Sequence, residues 1–354
     1  MKAVILAGGE GTRLRPLTLG TPKPIVPVVD RPFLVHQLDL LKGAGIREIV
    51  FSVAYKPERL RETFGSGEAQ GVHIEYVSED PPLGTGGAVR NALPLLDERT
   101  VVLNGDILTD VDLKAVIAGH AASGAAATLV LTPVTNPASY GLVETHANGR
   151  IHRFIEKPRP HEITTDTINA GIYVLETATL SLMEEKKNIS IERVFFPALI
   201  ARKDLLMAHV HKGYWVDIGT PEKYREVHRD ILHERFRVSL SGEARGGGFI
   251  DPTARVHPEA ILEAPFYVGP GCEVAREARL GPDATLVRDV RLAPGSAVRD
   301  SVLWGGCDVG EKASLAGALL AQSCRIGRSA SVLPGSILGE GAVFPDFSRT
   351  GSPS

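Results

Sequence analysis

The chain predicts an α/β domain on a mostly parallel, mixed sheet, followed by a left-handed parallel β-helix of hexapeptide repeats. Three observations predict it. Apolar strand-like runs alternate with helix-like segments as far as about Phe236. Apolar residues then recur at strict six-residue steps from Ile250 onward. Between the two lies "SLSGEARGGGF", Ser239 to Phe249, which is rich in glycine and poor in large apolar residues. The 354 residues suit two domains rather than one. The boundaries read as a first domain over 1–236, a linker over 237–248, a β-helix over 249–346 and a tail over 347–354.

The first domain is justified element by element. Ala3–Leu6 is an uninterrupted apolar run, as a strand buried on both faces requires. Phe33–Gly43 reads as a helix, with Pro32 at its start and Gly43 at its end. Glu48–Ala54 reads as a strand, Glu58–Phe64 as a helix, His73–Val77 as a strand and Gly86–Leu93 as a helix. Thr100–Leu103, Asp112–Ala122 and Ala127–Thr132 continue as strand, helix and strand. Such alternation implies a parallel sheet covered on both faces. From Tyr140 to Val174 short strands follow one another with little helix between, which predicts an extra β-layer over one end of the sheet. Pro221–Phe236 is a charged closing helix.

In the second domain, Ile250, Val256, Leu262, Val268, Val274, Leu280, Leu286, Leu292, Val298 and Trp304 keep the six-residue step. The phase slips by one at Val309, resumes at Leu315 and returns at Ile326, Val332 and Leu338. Helices need steps of three and four, and hairpins need alternation. A strict six fits a solenoid whose coil has three short sides, each side giving one large and one small inward residue. Cys272, Cys307 and Cys324 each fall two residues before an apolar repeat position, in the small inward slot. They read as buried filler and suit a reducing cytoplasm rather than a disulfide framework.

The composition excludes other classes. A net charge of −3 gives no electrostatic footprint for nucleic acid or an anionic membrane. The N-terminal apolar run is too short for a signal peptide, and no run reaches transmembrane length.

The chemistry starts at "LAGGEGTRLRPLT", Leu6 to Thr18, directly behind the first strand. A P-loop would need Lys after Gly11, and a dinucleotide fingerprint would need glycine where Leu14 stands. Neither applies. What remains is a loop of peptide N–H groups that can wrap a polyphosphate, because Gly8, Gly9 and Gly11 permit close backbone approach. Arg13 and Arg15 can add charge-assisted hydrogen bonds to phosphate oxygens. Lys23 is framed as Pro22-Lys23-Pro24, and two prolines are expected to hold that stretch extended with the ammonium pre-positioned. Asp106 ends the strand-like "LNGD", where ligands gather in parallel sheets.

These residues resemble the signature of the nucleoside-diphosphate-sugar pyrophosphorylases, the sugar-1-phosphate nucleotidyltransferases. The resemblance runs in order over about residues 3–225, through "GGEGTRLRPLT", "PKP", "EDPPLGTGGAV", "LNGD", "YGLVE", "EKP", "NAG" and "YWVDIGTPEKY". It implies a Rossmann-like sheet of the nucleotide-diphospho-sugar transferase type. By resemblance the nucleotide meets Leu6, Ala7, Gly8, Gly9, Gly11, Thr12, Arg13, Glu79, Pro82, Leu83, Gly84 and Thr85. Gly84 would lie against the base, and Thr85 would cap a helix. The sugar phosphate would meet Asn104, Tyr140, Gly141, Glu156, Lys157, Asn169 and Gly171. Asp106 and Asp217 would hold Mg²⁺, and Arg13 and Lys23 would be catalytic.

The implied reaction joins a nucleoside triphosphate to a sugar 1-phosphate. Its nucleophile is already charged, so it needs alignment and charge neutralisation rather than a general base. "PLGTGGA" and "SIERVFFP" most resemble the branch that joins GTP to mannose 1-phosphate. Heptose 1-phosphate with GTP, and glucose 1-phosphate with TTP or UTP, stand as alternatives. Acyl transfer by the repeat domain would need a catalytic histidine in the coils, where only His257 occurs. A non-catalytic regulatory relative would have lost Lys23 or a metal carboxylate, and all are present. Exposed coil faces imply homo-oligomerisation through the β-helix.

Overall fold

Thirteen strands and six helices precede the repeat region in the computed structural model. The strands are β1 (Lys2–Leu6), β2 (Pro27–Val28), β3 (Arg31–Pro32), β4 (Glu48–Val53), β5 (His73–Ser78), β6 (Arg99–Asn104), β7 (Ile107–Thr109), β8 (Ala127–Pro133), β9 (Gly141–Thr145), β10 (Ile151–Glu156), β11 (Thr167–Glu176), β12 (Leu206–Val210) and β13 (Trp215–Asp217). The helices are α1 (Phe33–Gly43), α2 (Pro57–Phe64), α3 (Gly84–Ala92), α4 (Leu113–Ser123), α5 (Phe196–Ala201) and α6 (Pro221–Leu232). The structure describes residues 1–351; residues 352–354 of the expected tail lie outside the described residues. Two compact units emerge. One holds Met1–Glu10 and Leu34–Asp217; the other holds Gly11–Phe33 and the chain from Ile218 on.

The first unit is built on one nine-stranded sheet in the order β10-β9-β11-β6-β1-β4-β5, with β8 joining β11 to β12. β1 pairs parallel with β4 and β6, and β4 with β5, which gives the parallel half expected from βαβ alternation. Ala3, Val4 and Ile5 of β1 have no exposed surface, as a central strand between two helical layers demands. The stretch from Tyr140 to Val174 does not form a separate layer. β9, β10 and β11 add antiparallel to the same sheet, because β11 is long enough to pair with β6, β8 and β9 at once. The core gathers Val4, Val50, Val102, Leu129, Tyr173, Phe195 and Phe196.

In the second unit, parallel strands stack into three sheets of seven, six and five strands, the three sides of a β-helix. Val268, Val274, Leu280, Leu286, Leu292, Leu303 and the three cysteines fill its axis. Cys272, Cys307 and Cys324 are free thiols, fully buried, as the small inward slot requires. The phase slip falls at Leu303 rather than Val309. Leu286 pairs with Leu303, and Leu303 with Leu320, so each of these two successive coils is one residue shorter than those on either side and Trp304 turns out of the axis. Trp304 instead donates its indole N–H to the Tyr224 hydroxyl of α6 at 2.9 Å.

The expected linker is structured. Glu243–Arg245 and Gly248–Ile250 form an antiparallel hairpin that starts the seven-stranded sheet. Its glycines serve the turn: Gly246 and Gly247 both have positive φ, where a Cβ is costly. α6 ends at Leu232 rather than Phe236 and packs on that same sheet. His228 approaches Thr285 at 3.3 Å, Arg229 donates to Asp300 at 2.8 Å, and Arg225 donates to the Gly317 carbonyl at 2.7 Å. The outward residues Tyr267, Thr285, Val302 and Leu319 of this side are therefore buried.

Candidate active site

The glycine loop leaves β1 at a fixed height. The Ala7 amide donates to Ser52 O at 2.8 Å, and Gly105 N donates to Leu6 O at 3.0 Å, so Leu6 and Ala7 sit between β4 and the turn after β6. A Cβ at Gly8 would press on Ala54 and on Glu79 Oε1, each at 3.3 Å. A Cβ at Gly9 would meet nothing within 4 Å, so no protein contact requires glycine there.

Further along the loop, in the second unit, Thr18 Oγ1 closes on Gly11 O at 2.8 Å. Thr12, Arg13 and Arg15 are exposed, while Leu14 and Leu17 anchor the segment in apolar surroundings. Lys23 is only 8% exposed. The stretch around it is not extended throughout. Lys23 opens a 3₁₀ turn, Lys23–Ile25, with Pro24 near its start, where a missing N–H costs nothing. The ammonium still hangs from a backbone fixed on both sides.

The turn from Glu79 to Gly87 is organised by Glu79. Its carboxylate is buried, accepting from Ser52 Oγ and from Leu83 N at 2.9 Å each. Both oxygens are thus engaged in shaping the turn. Gly84 has φ +67°, and a Cβ there would stand 2.8 Å from the Ile189 carbonyl. Only glycine satisfies that conformation and that contact together. Thr85 does not cap α3. Its hydroxyl accepts from Ile191 N at 2.9 Å and donates to Glu192 Oε2 at 2.7 Å, tying the turn to a distant segment. Pro82 O accepts from Asn188 Nδ2 at 2.9 Å.

The sugar-side motifs converge on β6, β7, β9, β10 and β11. Gly141 pairs with Glu156 across β9 and β10, and a Cβ at Gly141 would lie 2.7 Å from Glu156 Oε2, so the carboxylate folds over that glycine. Lys157 N donates to Tyr140 O at 3.1 Å, and Lys157 adopts φ +54°, a strained value for a non-glycine residue. "NAG" is a bulge in β11: register is lost between Asn169 and Tyr173. Asn169 Oδ1 accepts from Gly171 N at 3.1 Å, and its amide donates to the Tyr173 hydroxyl at 2.7 Å. Gly171 has φ +72°, and a Cβ there would lie 2.7 Å from Asn104 Nδ2. The bulge therefore packs directly on the turn that carries Asp106.

The backbones of Asp106 and Asp217 are brought near each other by one strand pair. β13 runs antiparallel to β7, and Asp217 stands opposite Ile107, the neighbour of Asp106. Tyr140 donates to Asp217 Oδ1 at 3.2 Å, and Trp215 Nε1 donates to Ala170 O at 3.0 Å. Carboxylates are the oxygen donors that a hard divalent cation favours. Asn104 Oδ1 is buried with no hydrogen-bond partner among the described residues, an acceptor held ready for a donor.

Burial, then the nearby charge of Glu192, pushes the Glu156 carboxyl above the usual range, against the pull of Arg193 and Lys157. Burial likewise holds the Tyr173 phenol well above its ordinary value. Two residues of this site carried no sequence signal that singled them out. Gln37 of α1 donates to both Asn104 O and Ile107 O at 2.8 Å, clamping the Asp106 turn. Glu192 is the other.

A glycine loop after the central parallel strand β1, with Asp106 in the turn after its neighbour β6 and Asp217 at the end of β13, fits the class of α/β enzymes that bind phosphate-bearing ligands at strand ends. Comparison with known proteins narrows this. The chain belongs to the Nucleotidyl transferase family, whose model matches residues 2–234. The GMPPB C-terminal domain model matches residues 262–347. Over 280 residues the chain is 39% identical to the mannose-1-phosphate guanylyltransferase of Mycobacterium tuberculosis, covering 78% of this chain and 77% of that protein. Over 269 residues it is 39% identical to the mannose-1-phosphate guanyltransferase of Candida albicans, covering 73% of each. Among solved structures, HddC from Yersinia pseudotuberculosis complexed with GMP-PN superposes with TM-score 0.57 at 29% identity, covering 65% of this chain and 98% of that one. Members of this family generally depend on a divalent metal. No helix among the described residues is long and apolar enough to cross a membrane.

Proposed function

We propose that this chain transfers the guanylyl group of GTP to mannose 1-phosphate, giving GDP-mannose and pyrophosphate. The observation that carries the reading is the placement of Asp217 opposite Ile107, beside Asp106, in a chain with relatives named for that reaction. An oxygen of the sugar phosphate attacks the α-phosphorus of GTP. The bond from that phosphorus to the oxygen bridging to the β-phosphate breaks, and its electron pair leaves on pyrophosphate. The attacking oxygen is already anionic, so no residue has to remove a proton.

The work of the protein is then to align two polyanions and offset their repulsion. Asp106 and Asp217 would hold Mg²⁺, which when bound neutralises phosphate charge and polarises the α-phosphoryl group. Glu156 and Asn169 would accept and donate hydrogen bonds to sugar hydroxyls, and the Gly141 backbone would line the sugar. Lys157 would meet the sugar phosphate. Backbone N–H groups from Gly8 to Gly11 would bind the triphosphate, with Arg13 and Lys23 stabilising the charge that develops on the departing pyrophosphate. The Glu79–Thr85 turn would carry the base.

The test is a panel of four nucleoside triphosphates crossed with mannose, glucose and heptose 1-phosphates, read as pyrophosphate release with Mg²⁺. The expected outcome is the highest kcat/KM for GTP with mannose 1-phosphate. A different dominant pair replaces the substrates named here. The same reading places the enzyme in a reducing cytoplasm, in keeping with three buried free thiols, and as a homo-oligomer through its β-helix. Sedimentation of the purified chain checks the latter.

A further inference from the structure

The segment from Asn188 to Phe196 connects two parts of the site that are far apart in sequence. At one end it is stapled to the base-carrying turn. Ile189 N donates to Leu83 O at 2.9 Å, Gly86 N donates to Ile189 O at 2.8 Å, and Ile191 N donates to Thr85 Oγ1 at 2.9 Å. At the other end the Phe196 ring meets Tyr173 at 5.0 Å and Phe154 at 5.7 Å, on the strands that carry Asn169 and Glu156. Between these ends the chain makes a single π-helical turn, Ile191–Phe195, a rare geometry that recurs at functional sites.

Glu192 sits at the start of that turn. Its Oε2 accepts from two hydroxyls, Thr85 Oγ1 and Ser190 Oγ, each at 2.7 Å. Oε1 accepts no hydrogen bond from a described residue. Ser190 in turn accepts from Arg193 N at 3.1 Å and so caps the start of the turn. The charge of Glu192 also reaches Glu156 and Tyr173, in each case second to burial among the causes that raise those groups. Glu192 thus has its carboxylate bonded to the nucleotide side and its field on the sugar side.

We propose that Glu192 is a positioning residue that fixes the nucleobase turn and the sugar pocket in one register, through its hydrogen bond to Thr85 and its place on the π-helical turn. The proposal rests on the reading of the site given above. It predicts coupling: loosening this joint disturbs recognition of both substrates together, although they contact separate motifs.

The experiment uses the full chain and the substrate pair that the wild type prefers in the panel. Glu192→Ala should raise KM for both the triphosphate and the sugar 1-phosphate, each about tenfold, the size expected for losing a hydrogen bond to a charged group. Glu192→Gln keeps an acceptor for the two hydroxyls and should recover most of the triphosphate KM. Thr85→Val should raise the triphosphate KM as Glu192→Ala does, and Thr85→Ser should restore it. The Thr85→Val/Glu192→Ala double variant should be no worse than the single ones, because both remove one joint. Parental KM values with only a lower melting point, or additive effects in the double variant, overturn the proposal. If Glu192→Ala fails to fold, Glu192→Gln and the Thr85 pair carry the same decision. A wild type inactive with every pair overturns the function reading instead, so the two failures are told apart.

Discussion

The phenolic hydroxyl of Tyr140 donates to Oδ1 of Asp217 at 3.2 Å, while the Tyr140 ring meets Trp215 edge-on at 5.6 Å. A carboxylate two residues along from Trp215 is thereby aimed by an aromatic brace that stands just ahead of β9. Tyr140→Phe keeps the ring and removes the bond. A hydrogen bond to a charged group contributes about 1.5–3 kcal/mol, so half-maximal activity should need about ten- to hundredfold more Mg²⁺. A Mg²⁺ titration of pyrophosphate release checks this. An unchanged curve would mean that this bond does not tune an ion site.

Asp106→Asn removes one of the two carboxylates read as metal ligands without changing shape. Mn²⁺ binding followed by electron paramagnetic resonance should weaken at least about tenfold, since a charged oxygen ligand is lost. Parental Mn²⁺ affinity would take Asp106 out of the ligand set.

Gln37→Leu leaves the carbonyls of Asn104 and Ile107 without their donor. Each buried unsatisfied group costs about 1–3 kcal/mol, so urea unfolding should shift by about 2 kcal/mol or more. The Asp106 turn should loosen as well, and kcat should fall more than KM rises. Parental kcat with lowered stability would limit Gln37 to a structural role.

Lys23→Ala should reduce kcat by orders of magnitude while the melting point stays near the parent, because a preorganised cation is effective chiefly in the transition state. Single-turnover measurements separate that outcome from slow product release. Unchanged turnover would remove Lys23 from the chemistry.

Glu156 predicts a pH dependence. Its folded-state pKa is raised, so folding favours the protonated acid. Its contribution to stability is complete below the ordinary carboxylate pKa and is lost as pH rises through the raised value. Recognition runs the other way, because the ionised group is the better acceptor for sugar hydroxyls. KM for the sugar 1-phosphate should therefore fall as pH climbs across that window, and Glu156→Gln should flatten the profile. Kinetics at saturating nucleotide over a pH series check it.

Much of this was legible in residues whose signal is local. Pro32 and Gly43 bracket α1 where the structure has it, and the six-residue step located the β-helix axis. Motifs at strand ends stood out because a turn needs glycine or a short polar residue whatever surrounds it. The rest depended on partners far along the chain. Thr85 reads as a helix cap until Ile191 and Glu192 are seen beside it. Trp304 keeps the repeat phase by sequence, yet the Tyr224 hydroxyl claims its indole. Gln37 looks like any polar residue on an amphipathic helix, and only the neighbouring turn shows that it is a clamp. The "linker" glycines looked like flexibility because a tight hairpin uses the same residue.

The grouping of Gly11–Phe33 with the C-terminal coils bears on how this architecture can be recombined. Tyr224 of α6 donates to the Pro27 carbonyl and accepts from Trp304, and a Cβ at Gly20 would run into Glu340. The repeat tail is therefore not a detachable accessory. Exchanging it for that of a relative would swap the bed on which the arginine-bearing loop rests, so a working chimera would have to inherit residues 11–33 and the coils from the same parent.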